Sequence, residues 1–167
     1  MRILGIDPGI SCTGYAVLET DPAGKISLIE LGVIRTLPTS TMPERLKTIF
    51  DGVNEVIASL EPDYFAIESV FVGKNIQSAL KLGHARGAAI VAAAKSGLEV
   101  SEFSPREVKQ NITGNGNADK EQVQFMVKSI LKLTQVPKPN DAADAVAIAI
   151  SFIQTYKYNQ KIKSINK

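Results

Sequence analysis

The most constraining feature of the chain is the stretch Ala145-Val146-Ala147-Ile148-Ala149-Ile150, which offers no polar side chain in any direction. As a helix it has no face to give to water, so the rest of the fold must enclose it. The upstream sequence supplies the layers. Residues 2–7 are rich in Ile and Leu, as a buried strand would be, and Pro8-Gly9 forces a turn. Residues 13–20 read as a second strand, Pro22–Gly24 as the next turn and residues 26–36 as a third strand. Short turns between three strands predict an antiparallel meander.

The pattern then becomes helical. Pro43 sits where a first helical turn tolerates it, and Leu46, Ile49, Phe50, Val53, Val56, Ile57 and Leu60 follow at helical spacing until Pro62. Tyr64–Glu68 is a short buried strand, residues 75–95 an Ala-rich helix and Leu98–Phe103 a fifth strand. Ser104 as N-cap with Pro105 at the first helical position opens another helix. Asp119–Leu133 and Asp141–Tyr156 complete the set. A meander followed by two strands reached through helical crossovers predicts an α/β fold, a five-stranded mixed sheet flanked by helices, with ribonuclease H-like architecture. At 167 residues there is room for one domain. We assign it to residues 1–156, and expect residues 157–167 to be a basic tail without regular structure.

A hydrophobic fraction of 44% excludes a disordered chain. No run of about 18 apolar residues exists, and Asp7 interrupts the N-terminal apolar stretch too early for a signal peptide. A cytoplasmic protein is expected. Cys12 is the single cysteine, which excludes an internal disulfide and a cysteine-built metal site. The net charge of +2 conceals a division along the chain: residues 1–80 carry 6 Lys/Arg against 10 Asp/Glu, and residues 81–138 carry 9 against 5. An acidic metal site beside a basic nucleic-acid surface divides charge in this way, as does an unevenly solvated surface.

Four carboxylates stand out. Asp7 and Glu68 each end an apolar strand, where an acid is costly to bury without a partner. Asp7 could equally be a turn starter before Pro-Gly. Asp141 and Asp144 are spaced i, i+3, so they share one face of a helix, and acids in a first turn suit the helix dipole. The dipole does not account for the rest of that helix, which is apolar all round. Two acids on a buried helix need a cation. All-oxygen donors of this kind suit Mg²⁺, with Mn²⁺ as substitute, rather than zinc. Two such ions about 3.5–4 Å apart could activate water and stabilise a leaving oxygen at a phosphodiester.

Several motifs resemble the RuvC-type crossover junction endodeoxyribonucleases. They are Gly5-Ile6-Asp7-Pro8-Gly9, Ala66-Ile67-Glu68-Ser69-Val70-Phe71, Ser78-Ala79-Leu80-Lys81-Leu82-Gly83-His84-Ala85-Arg86-Gly87, Val108-Lys109-Gln110 and Asp141-Ala142-Ala143-Asp144-Ala145. They occur in order over residues 1 to about 155, and the Ser-Ala-Leu-Lys-Leu-Gly block is the most specific. The resemblance implies a homodimer that resolves Holliday junctions by paired nicks and works with the branch-migration helicase complex of RuvA and RuvB. It implies that Asp7, Glu68, Asp141 and Asp144 are the catalytic, metal-binding acids, although some members carry His in place of Asp141. It places Lys109 and Lys120 near the scissile phosphate and Phe71 against bases at the junction. With Lys81, Arg86 and Arg106 these form the candidate DNA-binding set.

Two features stay open on sequence. Ala79, Gly83 and Gly87 recur every four residues, which permits close packing on the sheet or against a second subunit. Thr113-Gly114-Asn115-Gly116-Asn117 ahead of Lys120 could cradle a DNA phosphate with its amides or be an ordinary connection. His84 is expected to be structural or exposed, and Cys12 incidental. An actin- or Hsp70-type ATPase half also begins with a strand, an Asp and a Gly turn, but it needs a second lobe for which this chain has no room. An inactive junction-binding protein would keep the basic residues and lose acids, and all four acids are present.

Overall fold

A computed structural model describes residues 1–69 and 75–165. Phe71, expected to meet junction bases, lies outside the described residues. The chain forms strands β1 (Arg2–Asp7), β2 (Cys12–Thr20), β3 (Ile26–Arg35), β4 (Tyr64–Glu68) and β5 (Val100–Phe103). Its helices are α1 (Met42–Leu60), α2 (Ile76–Lys95), α3 (Pro105–Thr113), α4 (Lys120–Ile130) and α5 (Asn140–Ile165). The sheet order is β3-β2-β1-β4-β5, with β1, β2 and β3 antiparallel and β4 and β5 parallel to β1. This is the expected mixed sheet.

Both faces of the sheet are covered, which explains why β1 alternates so poorly. Ile3, Ala16, Leu18 and Ala66 pack on one side with α3, α4 and α5. Leu4, Ile6, Val17, Phe65 and Ile67 pack on the other with α1 and α2. α5 is enclosed as its composition demands, with Ala142, Ala143 and every residue from Ala145 to Ile153 buried. Beyond Tyr156 the structure departs from the expected tail. The helix continues to Ile165, and the Lys157 ammonium donates to the Gly24 carbonyl at 2.9 Å. Polar, basic side chains do not prevent helix propagation once a buried segment has nucleated it.

α3 begins as predicted. The Ser104 hydroxyl accepts from the Glu107 amide at 3.2 Å, and the Glu107 carboxylate accepts from the Ser104 amide at 2.7 Å. These contacts satisfy two amides that the helix leaves unpaired. Ser104→Ala should therefore cost about 1 kcal/mol, seen as a fall in Tm of roughly 2–4 °C.

Candidate active site

Strand parity brings the acids together. On β1, Ile3 faces α5, so Gly5 and Asp7 do as well, since alternate residues share a face. On β4, Ala66 faces α5 and so does Glu68. The parallel register pairs Ile6 with Ile67, so both acids emerge at the same end of adjacent strands. The first turn of α5, carrying Asp141 and Asp144, comes down on that end.

Two glycines that the sequence did not single out permit this approach. A Cβ on Gly14, the β2 residue paired with Asp7, would lie 2.0 Å from the Asp141 carbonyl oxygen. A Cβ on Gly5 would lie 2.3 Å from the Ala145 carbonyl oxygen. Only glycine lets the α5 backbone settle directly on β1 and β2.

The electrostatics reflect the crowding. The Asp7 carboxyl is pushed up from its usual value of 3.8 to about 8, by burial first and then by the charges of Glu68, Asp144 and Asp141, with Lys120 opposing. Glu68 is raised by burial and by Asp144, again against Lys120. The Lys120 ammonium donates to Asp144 Oδ2 at 2.7 Å, and that bond raises the lysine in turn. Among the described residues no three acidic, His or Cys side chains already close around a common point, so the acids are near neighbours rather than a finished cage. The donor set nevertheless fits a hard divalent cation. It is all oxygen, burial and the neighbouring acids raise the Asp7 carboxyl, and one lysine stands against four carboxylates. Asp7, Glu68, Asp141 and Asp144 would hold the ion.

The raised carboxyl has a consequence for stability without metal. The folded state keeps a proton on Asp7 that the unfolded chain has released, so the contribution of Asp7 to stability is fully present below about pH 3.8 and is lost as pH rises toward about 8. Glu68 acts in the same direction. For metal-free protein, Tm should fall by several degrees between pH 5 and pH 8, and a divalent cation should reverse the fall at pH 8. A flat or rising profile over that window in chelator would contradict the burial of this charge.

The predicted basic residues divide. Lys109 and Lys120 line a cleft of about 270 Å³ together with Glu68 and Asp144. Arg106 is exposed on α3, and Lys81 is exposed on α2. Arg86 instead turns inward, donating from Nε to the Glu68 carbonyl at 3.2 Å and pairing with Glu102. The glycine-rich loop is an ordered connection with no free cradle of amides. The amides of Gly114 to Asp119 donate to Gln110, Thr113, Asn115 and Gln122. Cys12 is less incidental than expected, since its thiol donates to Asp141 Oδ2 at 3.4 Å. His84 is exposed on α2.

The family profile "Crossover junction endodeoxyribonuclease RuvC" matches residues 3–152. The crossover junction endodeoxyribonuclease RuvC of Pelotomaculum thermopropionicum is 45% identical over 163 residues, 98% of this chain and 99% of that relative. The RuvC of Tolumonas auensis is 53% identical over 153 residues, covering 92% of this chain and 87% of that relative. Among solved structures, T. thermophilus RuvC in complex with Holliday junction substrate superposes with a TM-score of 0.90 at 37% identity, covering 95% of this chain and 96% of that one. The yeast mitochondrial Holliday junction resolvase Ydc2, at 15% identity and a TM-score of 0.69, shares the fold. With the profile spanning nearly the whole chain and its relatives matched almost end to end, this chain belongs to the RuvC family of crossover junction endodeoxyribonucleases.

Proposed function

We propose that the protein resolves Holliday junctions by paired symmetric nicks, acting in the cytoplasm as a homodimer with Mg²⁺ held by Asp7, Glu68, Asp141 and Asp144. The observation that carries this reading is the convergence of two strand-end acids and the first turn of a buried helix on one end of the sheet. When bound, the metal (two ions per site) supplies an activated water and charge stabilisation at a phosphodiester. The protein's own part is positional. β1 and β4 fix Asp7 and Glu68 on rigid backbone, and the glycine contacts fix α5 against them. Lys109 and Lys120 border the same cleft, where ammonium groups would hold the phosphate beside the acids. Lys120 must then leave Asp144, and a bound cation would take over the balancing of that carboxylate. Lys81 and Arg106 would contact the DNA backbone farther out, and Phe71 would stack on a base at the junction centre.

The dimer is supported by α2. Among the described residues a Cβ on Gly83 or Gly87 would meet nothing within 4 Å, so close packing on the sheet does not require these two glycines. Glycine costs about 1 kcal/mol in a helix interior relative to Ala, so a second copy is the reason we favour for keeping two. Ile76, Leu80 and Val91 are exposed on the same helix, leaving apolar surface to cover. Two sites facing one junction account for cuts in two like-oriented strands, and RuvA and RuvB would be the motor partners.

The test is a synthetic four-way junction, end-labelled on each strand in turn, incubated with Mg²⁺. Expected are nicks at symmetric positions in two opposed strands, leaving 5′ phosphates that a ligase seals, with linear duplex left intact. Tight junction binding without cutting in Mg²⁺ or Mn²⁺ would replace the reading with an inactive binder.

A further inference from the structure

We propose that Arg86 is a positioning residue for Glu68 rather than a DNA contact, an inference that rests on Glu68 serving as one of the metal-holding acids. The pairing of β4 with β1 ends at Ile67, so the Glu68 carbonyl has no partner on β1. A carbonyl partly shielded from water, as this one is, does not remain unpaired without cost. Arg86 Nε donates to this one at 3.2 Å, while the Ser69 amide at the other end of the same peptide group donates to the Phe103 carbonyl at 2.8 Å. The Glu68–Ser69 peptide is thus held from both ends, at the point where the chain leaves the sheet.

The rest of the guanidinium is also occupied. It pairs with the Glu102 carboxylate on β5, and the Arg86 side chain is only 18% exposed. Three elements, α2, β4 and β5, therefore meet at this one side chain. Parity defines how it acts. Glu68 points toward α5, whereas α2 packs on the opposite face of the sheet. Arg86 consequently reaches the Glu68 backbone and leaves the carboxylate free. The charges that shift that carboxylate are those of Asp144 and Lys120, both on the α5 side of the sheet. An arginine with a planar fork can bond a carbonyl and a carboxylate together, a task that a lysine ammonium performs poorly.

The experiment compares wild type with Arg86→Ala, Arg86→Lys and Glu102→Gln. Three quantities are read: single-turnover cleavage at saturating junction, the Mn²⁺ concentration for half-maximal rate, and junction Kd across a salt series in Ca²⁺. Groups that orient a metal ligand typically change activity or metal affinity about 10–100-fold when removed. We expect that loss in rate for Arg86→Ala, with the Mn²⁺ midpoint moved upward, partial recovery at high Mn²⁺, and Kd within about twofold of wild type. Arg86→Lys should resemble Arg86→Ala even though it keeps the charge, and Glu102→Gln should lie between them and wild type. A phosphate contact would instead weaken Kd and lower the salt slope by about 0.9, and Arg86→Lys would restore binding. That result, or wild-type rates and Mn²⁺ midpoints in all three variants, overturns the proposal. A lower Tm with an unchanged Mn²⁺ midpoint makes Arg86 merely structural and also overturns it. Should Arg86→Ala not fold, the Arg86→Lys and Glu102→Gln results decide. Failure of wild type to cut the junction would defeat the proposed function itself, which separates the two readings.

Discussion

Asp7→Asn should abolish cutting, by about 10³-fold or more, while junction binding persists and the metal-free protein becomes more stable. The substitution keeps the side-chain shape and removes one charge from the most crowded position of the site. Cutting is lost because an amide is a poor ligand for a hard cation and because Asp7 is the acid on which the other three act electrostatically. The gain in stability has its origin in the same crowding. Burial and three neighbouring acids hold the Asp7 carboxyl up at about 8, so at neutral pH the folded state strains to ionise it. Sites that gather like charges for function do so at the expense of the fold. The checks are nick yield on a labelled junction, Kd in Ca²⁺, and melting in chelator at pH 5 and pH 8. The mutant should melt above wild type at pH 8, with the gap narrowing toward pH 5. A mutant that cuts normally would remove Asp7 from the site, and one that is inactive but less stable at pH 8 would mean that the carboxylate is paired after all.

Gly14→Ala should be nearly as damaging, through geometry alone. The new methyl would start 2.0 Å from the Asp141 carbonyl oxygen, with backbone on both sides of the contact. No side chain can rotate away to relieve it. The first turn of α5 must move off the sheet by more than an ångström, and Asp141 and Asp144 move with it. Overpacking of this kind costs about 1–3 kcal/mol and occasionally more, which lowers Tm by roughly 2–12 °C for a chain of this size. A misplacement of about 1 Å can cost a further 10²-fold in rate. Cleavage should thus fall about 100-fold even well below the new Tm, with Kd little altered. Gly5→Ala should behave similarly, since its methyl would meet Ala145 backbone and Ala149 together. Full activity at 20 °C in either variant would show that α5 can dock on the sheet in more than one way.

What the sequence determined by itself was everything that depends on near neighbours. The spacing of Leu46, Ile49, Val53 and Val56 set a helix, Ser104 and Pro105 set where α3 starts, and the apolar run after Asp144 required enclosure. The ends of two apolar strands were also readable, so Asp7 and Glu68 stood out as acids placed where burial needs a partner. Tertiary structure alone decided contacts between parts far apart in the chain. Gly14 is an ordinary strand residue until α5, more than a hundred residues later, rests on it. Arg86 looked like one more cation for DNA because no local pattern says that its fork will find the Glu68 carbonyl and Glu102. Local spacing records the backbone's own periodicity, whereas these partners are chosen by how closely the layers pack, and that is settled only when the whole sheet and its helices close on one another.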